Sequence, residues 1–178
     1  MKIAVFVGSL REKSSNKALA KTLEGMASGA MEFEYIDISL PLYNEDIESA
    51  GFPEEVQKAK KTVESADGVL FVTPEYNRSV PGVLKNVIDW VSRPYGASSF
   101  KGKPVGIIGS SMSPVGTAVA QSDLRHIMLF QGAKVLGQPE VYIASAYEVF
   151  DEKGDLLSDS WEKNLKQYVE AFSDWIKQ

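Results

Sequence analysis

The chain has 178 residues and carries 19 basic against 24 acidic side chains, a formal charge of −5. That length suits one domain, residues 1–178, with a sizeable core, and 44% hydrophobic with 24% charged residues excludes a disordered or fibrous chain. The acidic balance argues against a surface built to collect nucleic-acid phosphates, and the lack of cysteine excludes disulfides, thiolate metal sites and a cysteine nucleophile.

The same lack fits a reducing compartment. No apolar stretch approaches the length of a membrane span, and Ile3 to Val7 is too short for a signal-peptide core. A soluble cytoplasmic protein is expected.

Along the chain, strand and helix patterns alternate. Ile3-Ala4-Val5-Phe6-Val7 is a continuous apolar run closed by Gly8, as in a parallel strand buried on both faces. Leu19, Leu23 and Met26 follow at helical spacing. Glu32 to Ile38 alternates apolar and polar, which suits a strand near a sheet edge, with Phe33, Tyr35 and Ile38 as the inward set and Ile36 undecided. Pro53-Glu54-Glu55 opens a helix, because proline is tolerated in a first turn and carboxylates favour the positive end of the dipole. Val56, Ala59, Val63 and Ala66 form its apolar stripe.

Val69 to Val72 is a second fully apolar strand, and Pro81 introduces a helix carrying Val83, Leu84, Val87, Ile88 and Val91. Val105 to Ile108 reads as the next strand, and the helix after it ends near Gly132, a left-handed cap. Val135-Leu136 and Val141-Tyr142-Ile143 flank Gly137 and Pro139, so the last strand is short or interrupted. Asp159 and Glu162 have capping-box spacing ahead of a long amphipathic helix with Trp161, Leu165, Tyr168, Val169, Phe172, Trp175 and Ile176 on its stripe. Asp151 to Asp155 lacks the alternating acids and distal glutamate of a calcium loop and reads as a solvated turn. Five strands with interleaved helices make one doubly wound α/β domain.

In such a sheet, ligands bind beyond the C-terminal strand ends, where strand order reverses. Three loops lie there. The first, Gly8 to Asn16, offers Ser9, Ser14, Ser15 and Asn16 as hydrogen-bonding groups and Arg11 as a planar cation, ahead of a helix N-terminus. It matches neither a Walker A loop nor a G-x-G-x-x-G fingerprint. Ser14 or Ser15 would serve equally as a plain helix cap, but Arg11 with Asn16 at the end of the first strand favours a phosphate site. The second loop, Thr73 to Gly82, is stiffened by two prolines and can aim backbone donors at a flat ring. An ordinary turn capped by Ser79 fits its composition too. The third, Gly109 to Thr117, is small and polar around Met112, and would either wall a planar ligand or simply connect.

Gly8-Ser9-Leu10-Arg11 with Ser14 and Asn16, then Pro74-Glu75-Tyr76-Asn77, Ser79, Pro81-Gly82, Leu84-Lys85-Asn86 and Ile88-Asp89-Trp90, resembles the NADPH-dependent FMN reductase family. The resemblance runs over essentially the whole chain. It implies a flavodoxin-like five-stranded parallel sheet of order 2-1-3-4-5 that binds FMN non-covalently, with NADPH or NADH as co-substrate. It also implies that Ser9, Arg11, Ser14 and Asn16, with Ser15 beside them, hold the FMN phosphate. Pro74, Glu75, Tyr76 and Asn77 would lie along the isoalloxazine ring, with Ser111 near its far edge. Many members carry a pair of glycines in the third loop, where this chain has Ser110-Ser111-Met112-Ser113.

The expected reaction is two-electron transfer from NAD(P)H through FMN to a quinone, azo dye, chromate or free flavin, in a ping-pong cycle with no catalytic side chain. The resemblance further implies a homodimer or homotetramer, with Arg93-Pro94-Tyr95 a candidate contact, and neither nucleic acid nor membrane as partner. Arg78 reads as solvent-facing, the other reading being attraction of the nucleotide's phosphates.

A flavodoxin-type electron carrier is the competing reading, disfavoured by Arg11 and Lys13 in the phosphate loop and by the modest charge. A response-regulator receiver lacks its acids here, since Gly8-Ser9 and Thr73-Pro74-Glu75 stand in their places. His126 sits in a helical pattern with no G-x-S-x-G elbow anywhere, so it reads as a packing or surface residue rather than a hydrolase base.

Overall fold

The computed structural model describes residues 1–27 and 29–178. In chain order they form β1 (Lys2–Val7), α1 (Ser15–Met26), β2 (Glu32–Tyr35), α2 (Glu45–Ala50), α3 (Glu54–Ser65) and β3 (Gly68–Val72). Next come α4 (Gly82–Val91), β4 (Pro104–Ser110), α5 (Ala118–Phe130), β5 (Lys134–Val135), β6 (Tyr142–Ile143), a 3₁₀ turn (Ala146–Glu148) and α6 (Asp159–Ile176). The strands run parallel in the order β2-β1-β3-β4-β5, with β6 also paired to β4. The expected 2-1-3-4-5 sheet is therefore present, and its fifth position is interrupted. β5 pairs with Pro104 and Val105, whereas β6 pairs with Gly109 and Ser110.

The apolar runs explain the layering. Ile3 and Val5 of β1 and Leu70 and Val72 of β3 point to one face, where they pack with Leu19 and Leu23 of α1 and Leu165, Tyr168 and Phe172 of α6. Ala4, Phe6, Val69 and Phe71 point to the other face, against α3, α4 and α5. Strands buried on both faces need no polar alternation, which is why β1, β3 and β4 read as unbroken apolar runs.

Two expectations need correction, and one helix had not been foreseen. Tyr35 does not face inward: it is 44% exposed, and its hydroxyl donates to Glu24 Oε2 at 2.8 Å. Ile36 and Ile38, both buried, take the α3 side, while Phe33 is half-buried on the α1 side. At an edge strand one face runs out of cover, so alternation does not reveal which set is inside. The capping box expected from Asp159 and Glu162 does not form, because α6 starts one residue earlier than that spacing implies. Ser158 holds the cap position without a side-chain cap bond, and Asp159 lies inside the first turn. Finally, α2 has no buried residue and so no apolar period to read; Asn44 starts it, its Oδ1 accepting the N–H of Asp46.

Asp151 to Asp155 is a turn, as expected. Asp151 Oδ1 accepts the N–H groups of Lys153 and Asp155, and these bonds hold its carboxyl below the usual carboxylate range. Lys60 fastens the connection after α4 by donating to the carbonyls of Val91 and Arg93 and to Ser99 Oγ. Burial lowers its ammonium pKa. Among the described residues no helix is long and apolar enough to cross a membrane.

Gly109 is where the sheet admits no side chain. A Cβ there would lie 2.1 Å from the Thr73 carbonyl oxygen and 2.5 Å from Thr117 Oγ1. Backbone and a buried threonine cannot both yield, so Gly109→Ala is expected to lower unfolding free energy by about 3 kcal/mol. Urea denaturation with an unchanged m-value checks this.

Candidate active site

The C-terminal ends of β1, β3 and β4 are neighbours, and strand order reverses between β1 and β3, so the three loops converge. Each pair of loops is locked by a specific contact. Gly8 continues the ladder by donating to the Val72 carbonyl, and a Cβ on it would come within 3.1 Å of Pro74 Cδ. Thr73 donates its N–H to the Ile108 carbonyl and packs its own carbonyl against Gly109. Asn16 joins the first loop to the third: its Nδ2 donates to the Ser110 carbonyl at 2.8 Å, and its Oδ1 accepts the Ser110 N–H at 2.9 Å.

In the first loop, Ser9 and Ser14 are buried and Ser15 is half-buried. Ser14 is the cap of α1, its Oγ accepting the Lys17 N–H at 3.4 Å, and Ser15 Oγ accepts from the Ser110 hydroxyl at 2.9 Å. The cap reading and the binding reading therefore coexist. The first turn of α1 holds no acidic residue. Among the described residues, the backbone N–H groups of Ser15 and Asn16 have no protein acceptor, as expected of a helix start. Arg11 and Lys13 are exposed, and neither has an ion-pair partner among those residues. Hydroxyls, helix-end N–H groups and an unpaired guanidinium form a donor set suited to a phosphate dianion. Asn16 differs from its expected neighbours, because Ser110 already engages both ends of its amide.

The second loop is a miniature hairpin. Tyr76 and Ser79 exchange N–H···O bonds of 3.1 and 3.0 Å, and between them Asn77 and Arg78 have φ of 51° and 61°. Two successive positive φ values mark a type I′ turn, which favours Asn at the first position and Gly at the second. Arg78 occupies the glycine position, so the tip is strained. Pro74 is buried, while Tyr76 is 48% exposed and Asn77 and Arg78 face solvent. The Glu75 side chain is only 6% exposed. Its Oε2 accepts the N–H groups of Val119 and Ala120 at 3.0 and 3.1 Å, and Arg78 lies 3.4 Å from its Oε1. Ser79 Oγ donates to Asp123 Oδ2 at 2.7 Å.

In the third loop, the half-buried Ser111 donates its N–H to Ile143, and its Oγ accepts the Ser113 N–H at 3.1 Å. Met112 is 51% exposed beside it. His126 lies on the exposed face of α5. The structure thus gathers Ser9, Arg11, Ser14, Ser15 and Asn16 in the first loop, Pro74 to Asn77 in the second and Ser111 in the third, all at one sheet edge. Sequence reasoning missed Ser110 and Asp123 as partners. Each bonds a residue 94 or 44 positions away, and no local pattern signals such pairs.

Residues 1–148 match the family described as NADPH-dependent FMN reductase. The chain belongs to the NADPH-dependent FMN reductase family. It is 45% identical to a 2-hydroxy-1,4-benzoquinone reductase of Burkholderia sp., over 99% of this chain and 97% of that protein. It is 43% identical to an NAD(P)H-dependent FMN reductase of Pseudomonas aeruginosa, over 99% and 96%. Among solved structures, FerB, a flavoenzyme NAD(P)H:(acceptor) oxidoreductase from Paracoccus denitrificans, superposes with a TM-score of 0.93 at 44% identity, covering 99% of this chain and 97% of that one. A flavodoxin from Pseudomonas aeruginosa, at 14% identity and a TM-score of 0.60 over the whole of both chains, shares the fold alone. FMN and a nicotinamide nucleotide are accordingly the cofactor and co-substrate of this reductase, and the donor set of the first loop fits an FMN phosphate.

Because Asn16 engages both backbone groups of Ser110, Asn16→Ala strands a buried donor and a buried acceptor together. The expected loss is about 3 kcal/mol of stability. Chemical denaturation of the apoprotein reads it directly.

Proposed function

We propose that this reductase passes two electrons from NADPH or NADH, by way of FMN, to a quinone-like acceptor. The observation that carries the reading is the pairing of a hydroxyl-rich loop, in which the exposed Arg11 and Lys13 outnumber Glu12 ahead of a helix start without acidic residues, with a strained, tethered hairpin at the same sheet edge. When bound, FMN would supply the redox chemistry, two electrons taken from the nucleotide and then given to the acceptor in a ping-pong cycle. Azo dyes, chromate and free flavin are chemically competent acceptors at the same place.

The chain's own part is binding and orientation. Arg11 and the hydroxyls of Ser9, Ser14 and Ser15 would hold the phosphate with the N–H groups that start α1. Asn16 would keep that helix start against the end of β4. Pro74, Glu75, Tyr76 and Asn77 would shape the seat of the ring, with Ser111 at its far edge. Backbone donors of these loops would face the region where negative charge collects on reduction, and fixed dipoles stabilise such charge without reorganising. No side chain is required as acid or base. Arg78 leans on Glu75, which leaves its other guanidinium donors for an anionic nucleotide.

Assembly as a homodimer or homotetramer belongs to the same reading. Tyr95, 84% exposed in the segment Arg93-Pro94-Tyr95, and Leu42, 81% exposed, suit a covered surface better than an open one. A cytoplasmic location fits a chain without cysteine that draws on NAD(P)H.

The test is the visible spectrum of the purified protein with FMN, then anaerobic NADPH and, separately, NADH. The expected result is a bound-flavin spectrum that bleaches with nucleotide and returns when a quinone is added. Bound flavin that neither nucleotide bleaches would establish the electron carrier instead. Arg11→Ala is expected to weaken FMN binding about 10- to 100-fold, the scale of a charge-assisted hydrogen bond. Its melting temperature should be unchanged, since Arg11 is exposed and has no ion-pair partner among the described residues. Titration of flavin fluorescence measures the first quantity and a thermal melt the second.

A further inference from the structure

Glu75 stands out among the acidic side chains. A carboxylate that is 6% exposed must be compensated or protonated, and here three groups compensate it. The first two are the backbone N–H groups of Val119 and Ala120, and the third is the Arg78 guanidinium. The two N–H groups are the orphan donors at the start of α5. Thr117, at the cap position of that helix, makes no side-chain cap bond, because its Oγ1 accepts from Gln121 Nε2 instead. Glu75 is therefore the cap of a helix 44 residues further along the chain, and the positive end of the α5 dipole favours its charge.

We infer that Glu75 is a positioning residue for the flavin ring: its carboxylate does not meet FMN but fixes the Tyr76–Ser79 hairpin that does. The inference rests on the FMN reading above. Its further ground is the exposure of the hairpin. Tyr76, Asn77 and Arg78 are all exposed, so packing contributes little to holding them. Their strained tip is secured at one end by Glu75 on the α5 backbone and at the other by Ser79 on Asp123, one turn further along the same helix. Two tethers to one rigid element define the height and tilt of the turn. Removing either one releases a conformation that Arg78 at positive φ does not favour. Length matters more than charge in this role, because both N–H groups need an acceptor at one place in space.

The experiment compares the full-length wild type with Glu75→Ala, Glu75→Asp, Glu75→Gln and Ser79→Ala. It reads the FMN dissociation constant, the midpoint potential of bound FMN and the melting temperature of the apoprotein. Glu75→Ala and Glu75→Asp, whose shorter side chain falls short of α5, are expected to weaken FMN binding about tenfold or more, the scale of a lost hydrogen bond. Both should also displace the midpoint potential, which a defect of stability alone leaves in place. Glu75→Gln keeps an acceptor oxygen at the same distance and should bind FMN within about threefold of wild type. Ser79→Ala should move dissociation constant and potential in the same direction as Glu75→Ala.

Wild-type affinity and potential in Glu75→Ala would overturn the inference. So would a Glu75→Gln protein as impaired as Glu75→Ala, since that would assign the effect to the charge. If Glu75→Ala fails to fold, Glu75→Asp and Ser79→Ala decide, and wild-type flavin behaviour in both overturns it. A wild-type protein that binds no FMN would overturn the flavin reading and this inference together, whereas unaffected variants of an FMN-binding protein overturn the inference alone.

Discussion

The Asn16 side chain gives both its amide oxygen and its amide nitrogen to the backbone of Ser110, and the geometry of the whole site depends on that pair of bonds. Ser110 ends β4, and Asn16 lies in the first turn of α1. The bonds hold a helix start against a strand end that lies two strands away in the sheet, across β3 from β1. The other loops are locked to one another by backbone hydrogen bonds, Gly8 to the Val72 carbonyl and Thr73 to the Ile108 carbonyl, and by close contact, Pro74 against Gly8 and the Thr73 carbonyl against Gly109. Glycine at both places is a condition of that closeness, because a methyl group would separate the strand ends. Loops joined in this way hold the start of α1 and the Tyr76–Ser79 hairpin at a constant separation.

Rigidity at this edge is obtained against strain. Asn77 and Arg78 hold left-handed backbone conformations, and only Asn tolerates that readily. Such strain persists where surrounding bonds over-determine the conformation. Here Glu75 and Ser79 provide them, both from outside the turn tip and both onto α5. Since the turn tip is solvated, the same residues that make it costly to form leave its backbone accessible to a ligand. That combination differs from an ordinary surface hairpin, in which Asn-Gly would remove the strain and the tethers would be superfluous.

How much of this was legible in the sequence follows from where each residue sits. β1, β3 and β4 are buried on both faces, and their unbroken apolar runs announced a parallel sheet and the loops beyond it. β2 lies at an edge, so Phe33 and Tyr35 point to a face that runs out of cover. The same alternating pattern then fits two opposite orientations, and burial of Ile36 and Ile38 decides between them. α2 buries nothing and had no period to detect. Within the site, the residue types of the loops were readable because hydroxyls, Arg11 and prolines cluster at strand ends. Their partners were not, because Asn16 with Ser110, Glu75 with Val119 and Ser79 with Asp123 are meetings made by topology. The family resemblance implied a place for Glu75 along the ring; only the fold shows that its carboxylate is turned to the start of α5.

The contrast between two helix starts at this edge then accounts for the polarity of the site. α1 begins with a serine cap, no acidic residue in its first turn, and the exposed cations Arg11 and Lys13 in the loop before it. α5 begins at the same edge, but an internal carboxylate already occupies its first N–H groups. Both helices offer a partial positive charge of similar size. At α5 it is neutralised within the chain, and at α1 it adds to the loop cations. An anionic group approaching the edge is thus drawn to α1, while the side toward β3 and β4 presents a proline-bounded hairpin and small hydroxyl side chains with little net charge. The mildly acidic remainder of the chain sharpens the contrast, because it leaves the first loop as a local basic spot on a surface of the opposite sign.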